Sequence, residues 1–414
     1  MKPFCRPERR SSSRRTWAVP ACEYLETRTL LTGNLTANLA GSTLKITGDG
    51  GNHEIRIVGS AEGELTLTGI NNTSINSVNN GSENFSNVKN ISIDFGGGHC
   101  AVTFLTTDIT GKLIVKAEGG NDKILFGEGN DGHNSFGKFF SLLGSGNNEV
   151  SVNDDTLSIP GTVKIVNGNG NNTVDLDPDV LLELGKTTVI GGSGSDFLDL
   201  GDAQVHTKSI NVQSGDGANS FFLDGNVTVN GKITFTGGDS FDLFDPGNGG
   251  GSLLTVTKAV KVDLGNGFNN VEIGQQVVEF KSSVTITGGD ARDVFDIDSD
   301  GIIFDKAFTL KLGAGNDEVD IDNALFRSAV SIDTGDGEDL VRIESQSSNF
   351  IVTKFTVPAK ISLGNDDDEI DIGFNTDDFV ITLASLTIDG GAGTNTLIDS
   401  GTNDFDSPPN LSGF

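Results

Sequence analysis

Apolar residues recur along this chain in one register. In residues 308–321, FTLKLGAGNDEVDI, Phe308 and Leu310 alternate with polar neighbours, Gly313 and Gly315 bracket a turn, and Asp317 closes it. Val319 and Ile321 then resume the alternation. A period of two on both sides of a glycine turn predicts strand, tight turn, strand. With Asp317 as the anchor, apolar residues stand nine and seven positions before it and two and four after it. The same set surrounds Asn172 (Val163, Ile165, Val174, Leu176), Asn269 (Val260, Val262, Val271, Ile273) and Asp339 (Val330, Ile332, Val341, Ile343).

Anchors in this register fall at His53, Cys100, Asp122, Asn148, Asn172, Asp196, Asn219, Asp242, Asn269, Asp293, Asp317, Asp339, Asp368 and Asn395. With one degenerate copy near residue 76, the 342 residues from His53 to Asn395 make fourteen steps of about 24. A period in this range means stacked supersecondary units, each burying its apolar face against its neighbours. Each unit has a strand, a turn, a second strand and a variable third segment. The third segment carries Phe280, Phe304 and Phe326, with Phe350 and Phe379 at the same offset as the first two, and so predicts a phenylalanine column. The fold class expected is all-β, a parallel β-helix of about 14–15 coils, roughly 70 Å long at about 4.8 Å per coil. No long stretch shows a 3.6-residue period, so helices are excluded.

Three regions follow: a basic leader (1–32), the repeat body (33–400) and a tail (401–414) that leaves the register and acts as a cap or hangs free. Insertions at 70–90, 127–140 and 246–252 all follow a second strand, where a solenoid tolerates loops.

Charge narrows the partners. The net charge is -30, but the leader holds seven basic and three acidic residues, leaving 21 basic and 55 acidic in a body near -34. Nucleic acid is excluded, and cations or basic surfaces are the natural counterparts. The only Trp and Tyr, Trp17 and Tyr24, lie in the leader, so every aromatic of the body is Phe and a lectin-like sugar platform is disfavoured. Three cysteines, at 5, 22 and 100, form no disulfide framework. No transmembrane segment is expected, and the apolar stretch after Arg15 is too short for a standard signal-peptide core.

Within the leader, Leu25-Glu26-Thr27-Arg28-Thr29-Leu30-Leu31 resembles the LEPR-XLL motif of large, repeat-rich exported bacterial proteins, with Thr27 where that motif has Pro. The resemblance implies a bacterial source and a secreted or cell-surface destination. Cell-envelope or extracellular-matrix components are the partners it implies beside cations.

The anchor column carries the strongest chemistry. Asp293, Asp317, Asp339 and Asp368 occupy four successive coils, and unit charges about 4.8 Å apart repel by about 1 kcal/mol in water, several-fold more near protein. A further row, Asp296, Asp320 and Asp371, is expected to point outward. Ca²⁺ held by carboxylates and turn carbonyls would relieve the repulsion, since this ion takes six to eight oxygens. The pattern resembles the RTX nonapeptide GGxGxDxUx, whose Asp and turn carbonyls bind Ca²⁺ in a parallel β-roll. Only GGNDKILFGEGND, 119–131, has its nine-residue tandem spacing, so the resemblance implies ligand roles for Asp122 and Asp131 first. The competing reading is structural: Asn fills five of the same anchors, and Asn or Asp there can close the turn through backbone hydrogen bonds.

Parallel β-helices also include polysaccharide lyases and glycoside hydrolases, which need a base or a carboxylate pair in a cleft. Here His53, His99, His133 and His206 are scattered, and Asp pairs are too numerous for one to stand out. Cys100 follows His99 directly, which in a strand sends the two side chains to opposite faces. The expected protein is therefore a structural or adhesive β-solenoid, not an enzyme, with Ca²⁺ as candidate cofactor. The polysaccharide-degrading enzyme is the alternative.

Overall fold

The computed structural model describes residues 33–414 except 130–131, 202, 248–252, 275–276, 345–351, 374–379, 383 and 400–402. Every regular element among these residues is a strand, and each coil lays its strands in register on the coil before. On the first wall, Val163 pairs with Thr187, then Ile210, Ile233, Val260, Val284, Phe308 and Val330 are successive Cα partners. On the second wall, Val174, Leu198, Phe221 and Phe244 form one interior file, none more than 4 % exposed. The third wall runs through Leu157, Leu182, Val205, Val227, Leu254, Val278 and Ile302, all fully buried. Strands of four residues suffice because each buries every second side chain and gives its backbone groups to coils above and below.

The stack makes about 12 turns of about 24 residues. His53 pairs directly with Cys100, so an offset of 47 positions makes one step. The degenerate copy near 76 is no coil. Glu64–Gly69 pairs antiparallel with His53–Ala61 on one side and with Ser82–Phe85 on the other, and Asn34–Ala40 runs antiparallel to Thr43–Gly48. These strands cover the edge that the first parallel coil would otherwise present to other chains. At the opposite end, Asp404–Phe405 and Asn410–Ser412 pair in parallel with Ile381–Thr382 and with Leu386–Asp389, so the tail segment adds further rungs.

The phenylalanine column exists, with one change of membership. Phe280, Phe304, Phe326 and Phe355 stack ring on ring at 5.3, 4.9 and 5.0 Å. Phe355 takes the place expected for Phe350, which, like Phe379, lies outside the described residues.

At the turn between the first and second walls, successive backbones approach too closely for any side chain. Gly313, Gly335 and Gly364 have φ of 106°, 109° and 112°, and a Cβ on Gly335 or Gly364 would lie 1.7 or 1.5 Å from a neighbouring carbonyl oxygen. Only glycine meets both demands.

Candidate functional site

The anchor column is an interior ladder. Each anchor lies two residues before an inward-facing apolar side chain, so it shares that parity and turns inward. Asp122, Asn148, Asn172, Asp242, Asn269, Asp293, Asp317, Asp339 and Asp368 are all at most 3 % exposed. The N–H of one anchor donates to Oδ1 of the anchor on the next coil. The chain of bonds runs Cys100 to Asp122 (3.0 Å), Asp122 to Asn148 (3.2 Å), Asn148 to Asn172 (3.2 Å), Asn172 to Asp196 (3.0 Å) and Asp196 to Asn219 (3.0 Å). It resumes from Asp242 to Asn269 (3.0 Å), Asn269 to Asp293 (3.1 Å), Asp293 to Asp317 (2.7 Å), Asp317 to Asp339 (2.8 Å), Asp339 to Asp368 (3.0 Å) and Asp368 to Asn395 (2.9 Å).

The second polar atom of each anchor depends on the turn. Asn148 donates Nδ2–H to the carbonyls of Gly144 and Gly146, and Asn172 donates to those of Gly168 and Gly170. Where two glycines open the turn, an N–H faces the anchor instead. Asp196, Asp242 and Asp293 accept at Oδ2 from Gly192 (3.3 Å), Gly238 (2.9 Å) and Gly289 (3.2 Å). Asp122, Asp317, Asp339 and Asp368 have neither arrangement, and their Oδ2 atoms are buried without a hydrogen-bond partner. Gly315 and Gly337, two residues before Asp317 and Asp339, have φ of 130° and 138°, close to the 133° and 127° of Gly146 and Gly170. Gly194, two residues before Asp196, has a similar φ of 143°, so the turns agree at this position.

Burial is the first cause of the resulting shifts. It pushes the Asp317 carboxyl up to about 7, with the Asp339 and Asp293 carboxylates adding to it and Arg292 opposing. It pushes Asp339, Asp293 and Asp122 up to about 6 and raises Asp368. The Thr334 hydroxyl, which moderates Asp339, itself donates to the Leu363 carbonyl at 2.8 Å.

These positions bear on the expected Ca²⁺ ligands. Asp122, Asp293, Asp317, Asp339 and Asp368 each commit Oδ1 to a backbone N–H, and Asp293 commits Oδ2 as well. Asp131 lies outside the described residues. Among the described residues, no group of three or more His, Cys, Asp or Glu gathers closely enough to hold an ion. Asp122, Asp317, Asp339 and Asp368 each keep one oxygen, Oδ2, out of the ladder, so their carboxylates alone supply fewer than the six to eight oxygens of a Ca²⁺ shell.

The outward row is broken by a cation of the chain itself. Asp296 stacks on Asp320, and Arg342 stands between Asp320 and Asp371 while pairing with Glu318 and Asp320. Two features escaped the sequence reading. A second ladder runs one residue before the anchors in the opposite sense: Asn147 N–H donates to Asn121 Oδ1 (3.0 Å), Asn171 to Asn147 (2.9 Å) and Ser195 to Asn171 (3.0 Å). The recurrence of Asn at 121, 147 and 171 was its signal. Asp245 is also only 4 % exposed, and burial, then Glu272, Asp224 and Asp199, push its carboxyl up to about 7.

An open cavity of about 360 Å³ near the first coils is lined by Asn52, His53, Glu54, His99, Cys100 and Lys123. Burial pushes the Cys100 thiol up to about 12, the reverse of what a nucleophile needs. Burial also lowers His53, although Asp49 lies 3.3 Å from its Nε2. His99 turns outward and accepts the Asn121 N–H at 2.8 Å, so the adjacent His and Cys do not meet on one face.

The fold and the ladders together define an acidic parallel β-solenoid. No family model matches the chain, and no curated protein matches it. No helix among the described residues is long and apolar enough to cross a membrane.

Proposed function

We propose that this chain is an exported bacterial protein whose acidic β-solenoid serves as a structural or adhesive surface element rather than a catalyst. One observation carries the reading. From Asp242 to Asn395 an unbroken run of bonds from backbone N–H to Oδ1 commits one side-chain oxygen of each anchor to holding coil to coil rather than to a cleft. The LEPR-XLL-like leader supports export, and a body near -34 supports contact with cations and basic components of an envelope or matrix. Incubation with pectate, alginate and other acidic glycans should release neither unsaturated products nor new reducing ends. Either product would move the chain to the polysaccharide-degrading enzymes.

Protons rather than Ca²⁺ neutralise the buried Asp run in this reading. The melting midpoint should be the same in millimolar Ca²⁺ and in EGTA. A rise with Ca²⁺ would restore the metal, because an ion bound only by the folded state stabilises in proportion to the logarithm of its concentration.

A further inference from the structure

Four neighbouring coils present an unusual surface at the turn between the first and second walls. Phe241 and Phe268 each stand one residue before an anchor, and they are 36 % and 43 % exposed. Their rings stack 5.9 Å apart at 25°. Ala218 precedes them in the same column and Arg292 follows. Two residues earlier in each turn, Asp216, Asp239, Asn266 and Asp290 form a parallel exposed column. The Asn266 amide donates to Asp239 Oδ1 at 3.2 Å, which ties those two turns together.

The chain already shows what this surface accepts. The Arg292 guanidinium lies over the Phe268 ring, 5.4 Å from its centroid, while pairing with Glu318. A planar cation stacked on one ring and balanced by a carboxylate is the arrangement that a second arginine would find on Phe241, with Asp216 and Asp239 in the neighbouring column. Burying two large phenylalanines in the core would be ordinary, whereas exposing them side by side next to carboxylates is not.

We propose that the turn face spanning Asp216 to Arg292 binds a basic polypeptide segment through its arginine side chains. Phe241, backed by the stacked Phe268 ring, serves as the stacking platform, and Asp216, Asp239 and Asp290 as the charge partners. The body's net charge near -34 draws in any polycation. The aromatic pair adds selectivity, because a guanidinium stacks on a ring face and is weakly hydrated, whereas an ammonium is a compact, strongly hydrated charge. A sugar ligand fits less well, since Phe offers no polar edge.

This inference names a partner class for the surface element proposed above and rests on that reading. The two fail separately, since glycan turnover tests the one and peptide binding the other. Hexa-arginine and hexa-lysine peptides are titrated into the full chain by calorimetry at physiological salt. Hexa-arginine should bind tighter by roughly fivefold, the size of one or two exposed cation–π contacts. The F241L/F268L variant keeps apolar volume and should lose that preference while still binding both peptides. D216N/D239N/D290N should weaken both peptides alike. Equal binding of the two peptides by the parent, or an unchanged preference in F241L/F268L with the parent's melting midpoint, would overturn the proposal and leave only general attraction between polyelectrolytes.

Discussion

Acidification from about pH 8 to about pH 5 should raise the melting midpoint of this chain, the opposite of ordinary acid denaturation. Burial lifts Asp317 to about 7 and Asp293, Asp339, Asp242 and Asp122 to about 6, all from 3.8. A group with a higher pKa in the folded state binds extra protons on folding throughout the interval between the two values. Its stabilisation is complete below about 4 and is lost as the pH climbs through about 6 to 7. Each tenfold gain in proton affinity corresponds to about 1.4 kcal/mol, so several such carboxyls should move the midpoint by on the order of 5 to 10 °C.

The charged groups facing the run are few. Asp317 sees Asp293, Asp339 and Arg292; Asp339 sees Asp368 and Asp336; Asp368 sees Asp366 and Asp367. Acid also eases the self-repulsion of a chain at -30, so a control is needed. The D317N/D339N/D368N variant supplies it. An Asn amide can donate where these carboxylates cannot, as Asn148 and Asn172 do to their turn carbonyls. The triple variant should melt above the parent at about pH 8 and show a flatter profile. A parent midpoint that rises with pH, or a variant with the parent's full slope, would remove the proton ladder.

The interior file of Val174, Leu198 and Phe221 was legible in the sequence because period-two alternation and a fixed repeat together determine which residues stack. The direction of the anchors was legible too, yet easily overlooked. Asp317 stands two before Val319 and must share its inward face, which changes a row of charges needing a cation into a row of buried carboxyls needing donors. What alternation cannot show is the orientation of a turn peptide. Whether Gly289 presents N–H to Asp293, or Gly144 and Gly146 present carbonyls to Asn148, depends on ψ and φ at single glycines. The degenerate copy near residue 76 was misread for a related reason. An antiparallel hairpin and a parallel rung have the same period, and only the direct pairing of His53 with Cys100 separates them.

Those hydrogen bonds specify which coil sits on which, but the apolar file contributes more of the stability, and truncating Phe304 should show it. Its ring is fully buried and lies 5.3 Å from Phe280, 4.9 Å from Phe326 and 4.7 Å from Phe308. Removing a buried phenylalanine costs about 3 to 5 kcal/mol, and each lost aromatic pair adds about 0.5 to 1.5 kcal/mol beyond its area. In a solenoid each coil touches only its neighbours, so the loss should be local. Hydrogen exchange in Phe304→Ala should accelerate first in the strands bearing Phe280, Phe304 and Phe326, while those bearing Ile124 and Val150 keep the parent's protection. The exposed Val180→Ala, by contrast, should shift stability by no more than about 0.5 kcal/mol. If Phe304→Ala unfolds at the parent's denaturant midpoint, the stacked rings are ornament and the ladders alone hold the coils. If exchange instead accelerates uniformly from end to end, the coils unfold as one unit and the nearest-neighbour account of this solenoid is wrong.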